Sequence, residues 1–162
     1  MTLSEIRERA IAPALAMLPA RMSSREAEIM LLAIGLQESR FVHRRQMGNG
    51  PARSFWQGEL GGGMVTGLLR YHDDRVRDLA VGLCAVRGVD PSPRAVWDAI
   101  ERDDVLAAGL ARLLLWTDPG RLPALGDADG AWQLYVRTWR PGKPHRSTWD
   151  DLYGQALAEV MS

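Results

Sequence analysis

The sequence predicts a mainly α-helical fold of about eight helices, built as one domain over residues 1–162. Apolar residues recur at spacings of three and four along most of the chain, which is typical of helices that bury one face. No segment of useful length alternates apolar and polar residues as a half-buried strand would. Breaks that contain proline or glycine separate the helical segments, and no internal linker or repeat divides the chain.

The first helix is predicted over residues 3–18, where Pro13 should bend or divide it because proline lacks a backbone N–H. Ser23 and Glu26 form a capping box, so a second helix should begin near Ser24 and run to about Ser39. The helix at 103–116 is the most apolar and is expected to be central. The remaining helices are predicted at 64–70, 73–87, 92–101, 127–140 and 148–160.

Residues 47–63 differ from the rest of the chain, since they hold six glycines and one proline. Helix is disfavoured over most of this segment, and a short β-hairpin within 44–58 is an alternative for part of it. A long glycine-rich loop in a compact domain is more often functional than accidental. This loop also carries Phe55, Trp56, Gln57 and Glu59.

Composition excludes several classes of function. The 20 basic and 20 acidic residues give a formal net charge of zero, which argues against a nucleic-acid partner. No apolar stretch approaches the roughly 18 residues of a membrane span, so no membrane partner is expected. The first residues lack a basic segment followed by an apolar run, so we expect synthesis in the bacterial cytoplasm without a signal peptide.

Cofactor and metal chemistry are not expected either. His43, His72 and His145 share no helical face, whereas a metal site needs ligands that converge. Cys84 lies among apolar residues and is expected to be a buried, inert thiol. No glycine pattern that would cradle a phosphate or a dinucleotide is present.

Glu38 is the strongest candidate for a catalytic residue. Ala27, Leu31 and Ile34 form the buried stripe of the second helix, and Glu38 occupies the next position on that stripe. Partial burial and the negative end of the helix dipole both raise the pKa of a carboxyl group, as a general acid requires. The alternative is a structural glutamate that pairs with an arginine such as Arg40 or Arg44.

Two motifs point to a family. The segment Ile34-Gly-Leu-Gln-Glu38-Ser39-Arg40-Phe41, followed by Gly50-Pro-Ala-Arg-Ser-Phe-Trp-Gln57, resembles the signature of lysozyme-like soluble lytic transglycosylases. In that family an apolar helix ends in Glu-Ser-x-Phe, and a Gly-Ala-x-Gly-Leu-Met-Gln loop follows. Two weaker similarities follow at 104–114 and 131–135, so the resemblance covers residues 24–140. The chain as a whole looks most like small phage-encoded relatives of the group.

The resemblance implies a lysozyme-like fold and cleavage of the glycosidic bond between the two sugars of peptidoglycan glycan strands, without a cofactor. It implies that Glu38 is the catalytic acid, that Ser39 supports it and that Gln57 lines the sugar cleft. Tyr135 corresponds to the tyrosine of a cleft motif in the family. Such a protein would act at the cell wall or as part of a virion.

The departures from the family pattern support a second hypothesis. Ser54 stands where the family has glycine, and Val136 and Arg137 stand where Asn-Ala would follow the tyrosine. A lysozyme-like module that has lost its activity and only binds the virion or the wall would carry such changes.

The chemistry of cleavage is left open between two routes. If Glu59 faces Glu38, it supplies the second carboxylate that an ordinary glycosidase needs. The two carboxylates then lie roughly 5–5.5 Å apart in a retaining enzyme or about 6.5–9.5 Å apart in an inverting one. If Glu59 points to solvent, Glu38 acts alone and the sugar's own C6 hydroxyl attacks. Four aromatic side chains are candidate flat surfaces for sugar rings: Phe41, Trp56, Tyr135 and Trp139. Core packing is the alternative for each of them.

Overall fold

The computed structural model describes all 162 residues and confirms a mainly α-helical fold with eight helices. A continuous apolar core of 42 buried residues joins them. None of the helices is both long enough and apolar enough to cross a membrane. The helices are α1 (Leu3–Ile6), α2 (Ala12–Ala16), α3 (Arg25–Ser39), α4 (Asp74–Val86), α5 (Pro93–Ile100), α6 (Asp104–Trp116), α7 (Ala128–Trp139) and α8 (Arg146–Met161).

The predicted first helix is divided just before Pro13. A π-helical turn, Arg7–Ile11, joins α1 to α2, and the N–H of Ala12 donates to the carbonyl of Arg7. Proline cannot donate to the carbonyl four residues before it, and its ring crowds that carbonyl, so the helix widens there. The helix predicted at 64–70 likewise begins with a π-helical turn, Gly63–Gly67.

Helix α3 begins one residue later than the predicted capping box implies. The N-cap is Ser24, whose hydroxyl accepts from the N–H of Ala27, and no capping box with Ser23 forms. Both serines could cap a helix here, and the one whose hydroxyl accepts a helix amide is Ser24. Ten of the fifteen residues of α3 are buried, so this helix runs through the core and packs along α8.

Helix α6 is the second central helix, as its composition predicts. Every residue from Leu106 to Leu115 is buried, including Arg112. Gly109 permits close packing with α4, because a Cβ there would lie 2.8 Å from Leu83 Cδ1. Cys84 of α4 is also buried, and burial raises the pKa of its thiol, which fits the predicted inert side chain.

The chain reverses after α3 through two consecutive residues in the left-handed region, Arg40 and Phe41, each with φ of 55°. This turn directs the Phe41 ring back onto Gly35. A Cβ at Gly35 would lie only 2.1 Å from Cζ of that ring, so only glycine leaves room for it.

The predicted hairpin in 44–58 is present only as two isolated antiparallel bridges, Arg45 to Arg53 and Arg53 to Gly58.

Replacing Gly35 with alanine should destabilise the fold by about 1–3 kcal/mol, because the new methyl group overlaps the buried Phe41 ring. Urea unfolding followed by circular dichroism measures the change. The matched control is Gly154→Ala in α8, where a Cβ meets nothing within 4 Å. That control should stabilise the protein by about 0.5–1 kcal/mol. Equal effects of the two substitutions would contradict the packing described for Gly35.

Candidate active site

Glu38 lies at the end of the buried stripe of α3, on the wall of a cleft. Ala27, Leu31 and Ile34 are fully buried, as predicted, whereas Glu38 is half-buried. Burial raises the pKa of the Glu38 carboxyl above its ordinary value, because the charged form is poorly solvated. The negative charge of Glu59 raises it further. No arginine pairs with Glu38, so the alternative of a structural ion pair with Arg40 or Arg44 is not realised.

Tyr135 of α7 is the one side chain that bonds to this carboxyl group. Its hydroxyl donates a hydrogen bond to Glu38 Oε1, which favours the ionised carboxylate and partly opposes the effect of burial. The tyrosine ring is buried and stacks on Trp149 of α8, with ring centres 5.3 Å apart and an angle of 8°. Burial and the neighbouring carboxylate raise the pKa of Tyr135 above its usual range, so its hydroxyl remains a donor.

The cleft beside Glu38 has a volume of about 360 Å³. Gln57 and Glu59 of the glycine-rich loop line it together with Glu38, and the loop that follows α7 supplies further wall. A second cavity, of about 790 Å³, shares Glu59, Leu114, Thr138, Trp139 and other residues with the first. The two volumes therefore form one elongated groove, which suits an extended ligand better than a compact one.

Ser54 and Gln57 shape the loop that faces Glu38. Both adopt left-handed backbone angles, with φ of 73° at Ser54 and 53° at Gln57. The Ser54 hydroxyl accepts from the N–H of Trp56, and Gln57 Nε2 donates to the carbonyl of Ser54 at 2.7 Å. Serine at this position therefore still makes the turn for which glycine is better suited, at a conformational cost of about 1 kcal/mol.

Ser39 lies behind the site and not in it. Its side chain is buried and does not line the cleft, so the structure places it away from the surface that a substrate would contact. The hydroxyl donates to the carbonyl of Phe55 at 2.7 Å and accepts from the N–H of Phe41. Ser39 therefore fastens the glycine-rich loop to the end of α3, next to Glu38.

Phe41 and Trp56 lie in the core, as the alternative of core packing predicts, and neither lines the cleft. Phe41 is 1% exposed and Trp56 is 0% exposed. With Phe55 they form a cluster of edge-to-face rings whose centres lie 5.5 to 6.5 Å apart. The indole N–H of Trp56 donates to the carbonyl of Leu31 at 2.8 Å. Three large rings, one from the turn after α3 and two from the glycine-rich loop, bury more apolar area by packing together than by facing water.

Trp139 lines the groove, as Tyr135 does. It is half-buried, and its indole N–H donates to the carbonyl of Trp56 at 2.9 Å, which ties α7 to the loop. Arg140, Lys143 and His145 line the same cleft, and sequence reasoning did not single them out. The available signal was a basic Pro-Gly-Lys-Pro loop directly after the helix that carries Tyr135.

No group of three or more His, Cys, Asp or Glu residues converges in the structure in a way that could hold a metal ion. Comparisons with protein-family models, with curated proteins and with solved structures find no match. The resemblance to lytic transglycosylases therefore stays a prediction, and the chemistry of the groove carries the case for a function.

Two substitutions should move the pKa of Glu38 in opposite directions. Tyr135→Phe removes a donor to the ionised carboxylate, so the pKa should rise. Glu59→Gln removes a neighbouring negative charge, so the pKa should fall. Titration of the Glu38 carboxyl carbon by ¹³C NMR measures both changes. A shift of the same sign in both variants would show that the contacts described here do not set the pKa of Glu38.

Proposed function

We propose that this protein cleaves glycosidic bonds in peptidoglycan strands, with Glu38 as the general acid. The observation that carries the proposal is a half-buried carboxyl with a raised pKa, held by a tyrosine hydroxyl on the wall of an elongated groove. A carboxyl group that stays protonated at higher pH than usual is suited to donate a proton to a leaving oxygen.

In the first step, Glu38 transfers its proton to the glycosidic oxygen. The bond between that oxygen and C1 of the sugar breaks, the bonding electrons leave with the oxygen, and positive charge develops at C1. Glu38 is then a carboxylate, and the Tyr135 hydroxyl stabilises it by the hydrogen bond that it donates. Tyr135 therefore stabilises the ionised form of Glu38 that the first step creates.

The second step follows one of two routes. Glu38 takes a proton from the C6 hydroxyl of the same sugar, whose oxygen bonds to C1 and leaves a 1,6-anhydro end. Alternatively, Glu59 takes a proton from water, whose oxygen bonds to C1 and leaves a reducing end. Glu59 is exposed, lines the cleft and lies near enough to raise the pKa of Glu38, which supports a second carboxylate in the reaction.

The groove also favours a polymeric substrate. Its lining residues continue from Glu38 past Leu114 to Tyr71, over two adjoining cavities. Arg140 and Lys143 line the cleft without a carboxylate partner, so they are free to contact anionic groups of the wall polymer. The proposed place of action is accordingly the cell wall, reached after synthesis in the cytoplasm or as part of a virion.

Glu38→Gln should lower the rate at which purified protein clears a peptidoglycan suspension by about 10²–10⁴-fold, because amide nitrogen cannot donate the acid proton. The fold should persist, as judged by circular dichroism and cooperative unfolding. Glu28→Gln is the matched control, since Glu28 lies on the same helix but outside the cleft. A wild-type protein that binds walls of several chemistries without clearing them would instead indicate an inactive binding module.

Mass spectrometry of the released fragments separates the two routes. If Glu59 activates water, the fragments carry reducing ends and Glu59→Gln slows their release by at least about tenfold. If the C6 hydroxyl attacks, the fragments carry 1,6-anhydro ends and Glu59→Gln retains most of the activity. Anhydro ends combined with a large loss in Glu59→Gln would contradict both assignments of Glu59.

A further inference from the structure

Arg112 is a buried cation without a carboxylate partner. It lies in the middle of the apolar helix α6 and is 2% exposed. Its Nε donates to the carbonyl of Met22 at 2.8 Å, whereas Nη1 is buried and has no acceptor. Burial lowers the pKa of Arg112 to about 10, so the guanidinium is still charged at neutral pH.

Arg7 is a second arginine with a buried guanidinium nitrogen, but carboxylates lie next to its charge. Its Nε is also buried without an acceptor, but its two other nitrogens pair with Glu28 and Glu159 at 3.4 and 3.2 Å. Arg112 has no such pair. An unpaired buried charge is costly, because the protein interior solvates it poorly. An anion placed next to Arg112 would offset that cost.

Arg112 forms part of the wall of a pocket of about 400 Å³, which we name the Arg112 pocket. Two further cations, Arg21 and Arg121, line it, and so does Ser24, the N-cap of the fifteen-residue helix α3. The positive end of a helix adds to the attraction for an anion. The wall also includes Trp116, Glu26 and Asp118.

The acidic and aromatic residues of this wall do not satisfy Arg112. Asp118 is held by Arg137 at 3.1 Å, and neither Asp118 nor Glu26 comes within ion-pair distance of Arg112. The Arg112 guanidinium lies 5.6 Å from the ring centre of Trp116, which attracts the cation but accepts no hydrogen bond from Nη1. A hydrogen-bond acceptor with negative charge is what the pocket lacks.

We propose that the Arg112 pocket binds an oxyanion, as a carboxylate or a phosphate group, through the guanidinium of Arg112. A guanidinium donates charge-assisted hydrogen bonds to such groups, and neither Nη group of Arg112 bonds to a protein oxygen. The pocket shares Asp118 and Pro119 with the far part of the catalytic groove, so a ligand bound there lies next to the groove but outside the site of Glu38.

The test is a titration of the ¹⁵N-labelled protein with sodium phosphate at pH 7, with sodium chloride used to hold the ionic strength constant. The Arg112 Nε–H signal should shift saturably, with an apparent Kd of about 1 mM or tighter. A parallel titration with sodium acetate separates the two sources of the oxyanion: a carboxylate ligand gives the same shift with acetate, and a phosphate ligand does not. Absence of a saturable shift with either anion overturns the proposal and leaves water as the partner of Nη1.

Variants locate the bound anion by calorimetry. Arg112→Gln should weaken binding at least tenfold, and Arg121→Ala should weaken it about threefold by removing an exposed cation of the wall. Arg75→Ala is the matched control, because Arg75 is a highly exposed arginine of α4 outside the pocket. It should leave the Kd unchanged. If Arg112→Gln does not fold, the Nε–H shift and the Arg121→Ala variant decide the question.

A second control separates this pocket from the catalytic groove. Lys143→Ala removes a cation of the Glu38 cleft and should not change the affinity for phosphate. Loss of binding in Lys143→Ala but not in Arg112→Gln would place the anion in the groove and overturn the proposal. Because these measurements do not involve cleavage, they test the anion site independently of the proposed glycosidase activity.

Discussion

The contact between the Phe41 ring and the bare Cα of Gly35 sets the geometry on which the site depends. The ring can reach that position only because Arg40 and Phe41 both adopt left-handed backbone angles directly after α3. The same reversal brings the glycine-rich loop back across the helix end, where the Ser39 hydroxyl fastens it at the carbonyl of Phe55. Without room at Gly35, neither the loop nor its polar residues would face Glu38.

The electrostatics of the site follow from this arrangement. Glu38 continues an otherwise apolar stripe, and the loop and α7 together remove much of its water. The raised pKa of Glu38 is therefore a result of packing, which the Tyr135 hydroxyl moderates by donating to the carboxylate. Burial favours the protonated form of Glu38, and the ionised form still accepts one hydrogen bond from Tyr135.

Much of the helical plan was predictable, because helix spacing and breaks are local signals. Most helix ends lie within one or two residues of their predicted positions. The candidate acid was also predictable, since Glu38 interrupts an apolar stripe. The burial of Phe41 and Trp56 was not predictable, because aromatic residues in irregular segments between helices follow no period that shows which way they face. The role of Gly35 depends on a residue that lies beyond the helix end.

Long-range contacts were the least accessible from the sequence. Tyr135 could be matched to a motif, but its bond to Glu38 joins residues 97 positions apart. Arg112 appeared to be one basic residue in a leucine-rich helix, and only the structure shows that it is buried and unpaired. Neither contact leaves a periodic trace along the chain, so each needs the folded arrangement of α3, α6 and α7.

The distance along the chain between Glu38 and Tyr135 also has a consequence for biosynthesis. A nascent chain that has emerged only as far as α6 contains the acid and its loop but neither Tyr135 nor Trp139. One wall of the groove is then missing, and Glu38 is open to water. The site is completed only when α7 has left the ribosome and docked, so translation order itself delays the appearance of a competent groove.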